Sequence, residues 1–134
     1  MNNEAIRNLV KQIGYESASF RITIINNKIL YVKNEPNKTE YKIGEKFSSE
    51  GLVIAGAGAG EFSQKFIDGL KDFNIPVVIS SRIDTGVITQ DSVLVKKAVA
   101  ANDLPPHKAA ILLRLAIAEG KTSQQELIDI FRQY

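Results

Sequence analysis

The sequence predicts an α/β fold: a small, mostly parallel sheet flanked by helices, preceded by an N-terminal helix and a β-hairpin. Three observations predict it. Two short apolar runs, LVIA at 52–55 and PVVIS at 76–80, have the length and composition of buried parallel strands. Between them Phe62, Phe66, Leu70 and Phe73 mark one face of a helix, which makes a βαβ unit with an expected right-handed crossover. After Pro105-Pro106, HKAAILLRLAIAEG is apolar almost all round and reads as a buried central helix over 107–118.

From the N-terminus, Ala5, Ile6, Leu9, Val10 and Ile13 stand at helical spacing, and Gly14 fits the stop. Two β-rich runs, 20–25 and 28–32, flank Asn26-Asn27, whose tolerance of positive φ suits a two-residue hairpin turn. Pro36 closes that hairpin. The polar stretch NKTEYKIGEKFSSEG has room for one short strand around 41–43 and reads as an internal joint. Residues 92–97 look helical, whereas Val99-Ala100-Ala101 could be helical or extended. Gly120 stops the helix begun at Pro105-Pro106. Thr122-Ser123 with Gln125 and Glu126 offers a capping box for a last helix, whose inner face is Leu127, Ile128, Phe131 and Tyr134.

The chain of 134 residues suits one domain, with 1–50 as helix, hairpin and arm and 51–134 as the α/β unit. It is 44% hydrophobic and 24% charged, and its 17 basic and 15 acidic residues nearly cancel. No basic stripe interleaves with aromatics, so no nucleic-acid partner is expected. With no cysteine and one histidine, His107, neither a disulfide nor a multi-histidine metal site can form, and no metal or cofactor is expected. No segment has the length of a membrane span, and MNNEAIRNLV lacks the apolar core of a signal peptide. A cytoplasmic location without membrane contact is the expectation.

The stretch GLVIAGAGAGEFSQKF, 51–66, poses the functional question. A dinucleotide loop needs glycines at its first, third and sixth positions. Counted from Gly56 the sixth position is Glu61, and from Gly58 it is Ser63, so both registers fail. Glu61 also stands where a pyrophosphate would lie, and no Lys-Ser or Lys-Thr pair follows. A tight strand-to-helix turn is the preferred reading. A small-ligand or nucleotide module remains an alternative, and it predicts thermal stabilisation by ligand that is lost on Gly58→Val.

Beyond the loop the motifs become specific in combination. VIAGAGAGEFSQKFIDGL leads to Ser80-Ser81-Arg82 with Thr85-Gly86. Leu104-Pro105-Pro106-His107-Lys108-Ala109 follows, and a last helix closes in Phe131 to Tyr134. In that order these segments, over 52–134, resemble the small C-terminal domain of the L-asparaginase/glutaminase family. IINNKILYVKNEPNKTEYKI is similar to the hairpin and arm that precede it. The resemblance then implies that a strand-and-helix unit between arm and loop is missing and that residues 1–15 have no counterpart.

The resemblance implies hydrolysis of the side-chain amide of asparagine or glutamine by a threonine nucleophile, with a lysine-carboxylate relay and oxyanion donors. It places those groups in T-G-G-T-I and H-G-T-D-T motifs of the N-terminal domain. Neither motif occurs in these 134 residues, so no catalytic residue is assigned. The C-terminal domain lends an asparagine of the loop and an acidic residue to a neighbouring subunit's site, where they recognise the substrate's amino group. Here Gly56-Ala57-Gly58-Ala59-Gly60-Glu61 puts Ala59 and Glu61 in place of both asparagines. Gln90-Asp91-Ser92-Val93 puts Val93 where the carboxylate belongs. Ala59, Glu61, Asp91 and Val93 are therefore the substrate-contact positions by family place, and Gly56, Gly58, Gly60, Ser80, Ser81, Arg82 and Gly86 are scaffold.

Each residue has a plainer role beside the functional one. Glu61 could hold an ammonium group but reads first as a first-turn glutamate favoured by the helix dipole. Asp91, two positions from the expected carboxylate, reads as a cap. Arg82 could pair with a substrate carboxylate, though a structural salt bridge is preferred. Thr85 and Thr89 have no base nearby in sequence, and His107 reads as an exposed first-turn residue. The expectation is a non-catalytic dimerisation or structural module, or a truncated relative. The alternative is a subunit of an amidohydrolase completed in trans by a partner chain carrying the threonine.

Overall fold

The computed structural model describes residues 21–25, 27–35, 38–45, 50–56, 68–70, 73–81, 87–93 and 95–134. Among these residues the strands are β1 (Arg21–Ile25), β2 (Asn27–Glu35), β3 (Lys38–Glu45), β4 (Gly51–Gly56), β5 (Val77–Ser81) and β6 (Val99–Ala100). The helices α1 (Pro106–Ala118) and α2 (Gln124–Gln133) follow β6. β1, β4, β5 and β6 form one sheet in that order, and β2 and β3 form a second. β4 runs parallel to β5 and β5 to β6, whereas β1 joins the edge antiparallel to β4. The protein is thus α/β with a mostly parallel sheet, as its apolar runs predict.

β4 and β5 are buried along their whole length, which is why both read as continuous apolar runs. Alternation sends their side chains to two cores. Leu52, Ile54, Val77 and Ile79 meet Leu70, Phe73, Ile88 and Val95 on one face. Val53 and Val78 meet Ile25, Ala109, Leu113, Leu127 and Phe131 on the other. Residues 68–70 are helical and Leu70 and Phe73 are buried, so this end of the expected crossover helix faces the sheet. Its Phe62 and Phe66, like the helix expected over the first thirteen residues, lie outside the described residues.

α1 lies across the second face. A β-carbon on Gly51 would come within 3.1 Å of both Leu113 and Ile117, so a residue without a side chain lets the helix sit close over β4. Pro106 occupies the first turn, where its missing N–H costs nothing. At the other end the Gly120 N–H donates to Ile117 O at 3.0 Å and the Lys121 N–H to Ala116 O at 2.9 Å, a Schellman stop. The start of α2 is capped by Ser123, whose Oγ accepts from the Glu126 N–H at 3.3 Å and donates to Glu126 Oε1 at 2.7 Å. The capping residue is the expected one, but Glu126 bonds the hydroxyl of Ser123.

Four expectations are corrected. Runs 20–25 and 28–32 do not pair across Asn26-Asn27. β1 pairs with β4, Ile22 opposite Ile54, and the hairpin is β2 with β3, Glu35 opposite Lys38. The polar stretch read as a joint is mostly the eight-residue strand β3. Residues 92–97 are not a helix: a 3₁₀ turn covers Gln90–Ser92 and bends and turns follow, while Val99-Ala100 is extended. Finally, α1 is buried on one face only. Ala109, Leu113 and Ala116 are covered, whereas Ile111 is 57% exposed.

Candidate functional site

In parallel α/β sheets, ligands gather at the carboxyl ends of the strands, because loops and helix N-termini converge there. The register brings two sequence-singled segments to that edge. Gly56, which opens the glycine loop, is the Cα partner of Ser81, and Ala55 of Ser80. The loop itself (Gly58, Ala59, Gly60 and Glu61) lies outside the described residues, as do Arg82, Thr85 and Gly86.

What is described at this edge serves packing. Ser80 is fully buried and its hydroxyl donates to Leu104 O at 2.8 Å, tying β5 to the turn before α1. Ser81 is 4% exposed. Past β6, Asn102 adopts φ 58°, a left-handed conformation that asparagine tolerates better than most residues. Its Nδ2 donates to Phe131 O at 3.0 Å, which fixes the last turn of α2 beside the strand ends. Sequence reading passed over Asn102, although an asparagine just before Asp103-Leu104-Pro105 is a recognisable turn signal.

The next segment runs away from this edge. The Ile88 N–H donates to Asn102 O at 3.0 Å in an antiparallel bridge. Two residues on, Gln90 bonds the backbone of Ala98 and Ala100, further back along β6. Asp91 and Val93 therefore lie alongside the outer edge of β6, and Gly56 and Ser81 end β4 and β5. Asp91 is exposed within the 3₁₀ turn. Val93 is half-buried and packs against the core of Leu52, Ile54 and Ile79. Thr89 and His107 are exposed. His107 sits in the first turn of α1, as its place after Pro106 suggests.

A separate cavity of about 280 Å³ opens at the other end of the sheet, lined by Phe73, Pro76, Lys97, Val99, Thr122 and Gln124. Among the described residues no three His, Asp or Glu side chains cluster as metal ligands would. No helix among them is long and apolar enough to cross a membrane.

Similarity to known proteins agrees with this architecture. Residues 29–131 match the model of the glutaminase/asparaginase C-terminal domain. L-asparaginase 2 of Escherichia coli (strain K12) is 38% identical over 91 residues, covering 63% of this chain and 26% of that protein. L-asparaginase 2 of Bacillus subtilis (strain 168) is 29% identical over 137 residues, covering 99% of this chain and 36% of that protein. A probable periplasmic L-asparaginase of Haemophilus influenzae is 38% identical over 79 residues, covering 54% of this chain and 22% of that protein. The chain thus spans only 22–36% of the length of these relatives. No solved structure matches it.

Proposed function

The chain belongs to the glutaminase/asparaginase family, matching its C-terminal domain, and on that premise we propose that these 134 residues form a non-catalytic structural module that associates through its own surface. The observation that carries this reading is Val93. Where the family resemblance expects a carboxylate for the substrate's ammonium group, an apolar side chain is half-buried on the core. A valine offers no charge and no hydrogen bond, so the position supports the fold and does not bind substrate. The inward hydroxyl of Ser80 points the same way, since it bonds Leu104 O and helps to hold β5 in place. Ala59 and Glu61 in the glycine loop complete the loss of both asparagines.

The partner in this reading is a second copy of the chain. Sedimentation over a wide concentration range tests it: a dimer is expected, and a single monomeric species at the highest concentration contradicts it. A cytoplasmic location belongs to the same proposal and is tested by cell fractionation.

A second reading is favoured by the pairing of Gly56 with Ser81, which puts the end of β4 beside the Ser-Ser segment on the edge where such sheets bind ligands. In it, the chain completes an amidohydrolase whose threonine and lysine come from another polypeptide. A neighbouring coding region bearing T-G-G-T and H-G-T-D-T motifs would separate this reading from the first.

A further inference from the structure

Among the described residues β6 ends the sheet, and a strand at an edge carries outward N–H and C=O groups that another chain can take up. Which groups point outward follows from the ladder. The Ala101 N–H donates inward to Ile79 O at 2.9 Å, so the N–H and C=O of Ala100 and the C=O groups of Ala98 and Asn102 face away from β5. The Ala100 N–H, Ala98 O and Asn102 O are occupied by the segment that carries Asp91 and Val93. Ile88 takes Asn102 O through its own backbone N–H. At Ala98 and Ala100 the backbone gives way to one side chain. Gln90 Nε2 donates to Ala98 O at 3.0 Å, and Gln90 Oε1 accepts from the Ala100 N–H at 2.8 Å.

That pair of bonds is the one that a residue opposite Val99 in a parallel neighbouring strand would make. A primary carboxamide is the only neutral side chain with a donor and an acceptor at peptide-like separation. We propose that Gln90 is a positioning residue: its carboxamide stands in for a peptide group of a neighbouring strand at the described β6 edge, occupies Ala98 O and the Ala100 N–H, and pins the Asp91–Val93 segment alongside it. Gln124, the first residue of α2, adds a second donor to Ala98 O at 3.1 Å and one to Lys96 O at 2.7 Å. Ala98 O therefore has two donors, while Gln90 is the acceptor found for the Ala100 N–H. The inference does not depend on whether the domain is catalytic. It also directs self-association to a surface other than the β6 edge.

Hydrogen exchange on the whole chain tests it, comparing wild type with Gln90→Glu and Gln90→Leu. Glutamate keeps an acceptor for the Ala100 N–H, and Gln124 still serves Ala98 O. Leucine fills similar space without any acceptor. The Ala100 amide is expected to be protected in wild type and in Gln90→Glu, and to exchange about tenfold faster in Gln90→Leu, the change expected from losing one hydrogen bond. The Ala101 amide, bonded inside the sheet, keeps its protection in all three. Equal Ala100 exchange in Gln90→Leu and wild type overturns the inference, as does Gln90→Glu exchanging as fast as Gln90→Leu. Should Gln90→Leu fail to fold, the side-chain amide protons of wild-type Gln90 give the answer. They are expected to exchange about tenfold more slowly than those of exposed Gln133, and equal rates overturn the inference.

Discussion

Gly120 shows how one backbone angle can decide where an element ends. Its φ of 76° is open to glycine and costly for residues with a β-carbon, and a β-carbon there would meet nothing within 4 Å. The cost of a side chain is therefore conformational and not steric. Gly120→Ala is expected to lower unfolding stability by roughly 1–2 kcal/mol, and Gly120→Asn by less, both read from denaturant midpoints at unchanged slope. This residue was legible in sequence because the reason for it is local. Val93 was legible only as a substitution in a motif. That its side chain joins the core of Leu52 and Ile54 depends on how the segment runs along the β6 edge, which no local pattern encodes. Gln90 was passed over for the same reason: its partners lie eight and ten residues away, just before and within a strand of two residues.

Among the elements, β4 and β5 were legible because burial on both faces makes a strand apolar throughout. β1 was legible as a strand but not in its pairing. Asn26-Asn27 is a fair local turn signal, yet a turn contributes little beside apolar burial. Pairing β1 with β4 places Ile25, fully buried, in the core beneath α1 and α2, which is worth about 1.5–3 kcal/mol for such a side chain. The helix α1 was over-read in the opposite sense. Its composition suggested burial all round, but one face holds it, through Ala109, Leu113 and Ala116. Leu113, with no exposed surface and in contact range of Gly51, is the centre of that face. Leu113→Ala is expected to cost about 2–5 kcal/mol, whereas Ile111→Ala on the exposed side should stay within about 0.5 kcal/mol. Equal costs at the two positions would show that the packing has been misassigned.

For the whole molecule, the motifs that resemble the family do structural work where the structure describes them. Ser80 ties β5 to Leu104, Pro106 and Gly120 bound α1, and Phe131 accepts from Asn102 while filling the core. The residues that family resemblance would set against substrate read Ala59, Glu61 and Val93, and no threonine stands in a T-G-G-T or H-G-T-D-T setting within these 134 residues. On the proposed reading the domain keeps the family's scaffold with its substrate contacts replaced. Ammonia release from L-asparagine and L-glutamine by the purified chain, alone and at high concentration, against a blank purified in the same way, tests that reading. No release above the blank is expected. Release that disappears on Thr85→Val or Thr89→Val would contradict it, because a hydroxyl of this small domain would then be performing chemistry that the family resemblance assigns to the N-terminal domain.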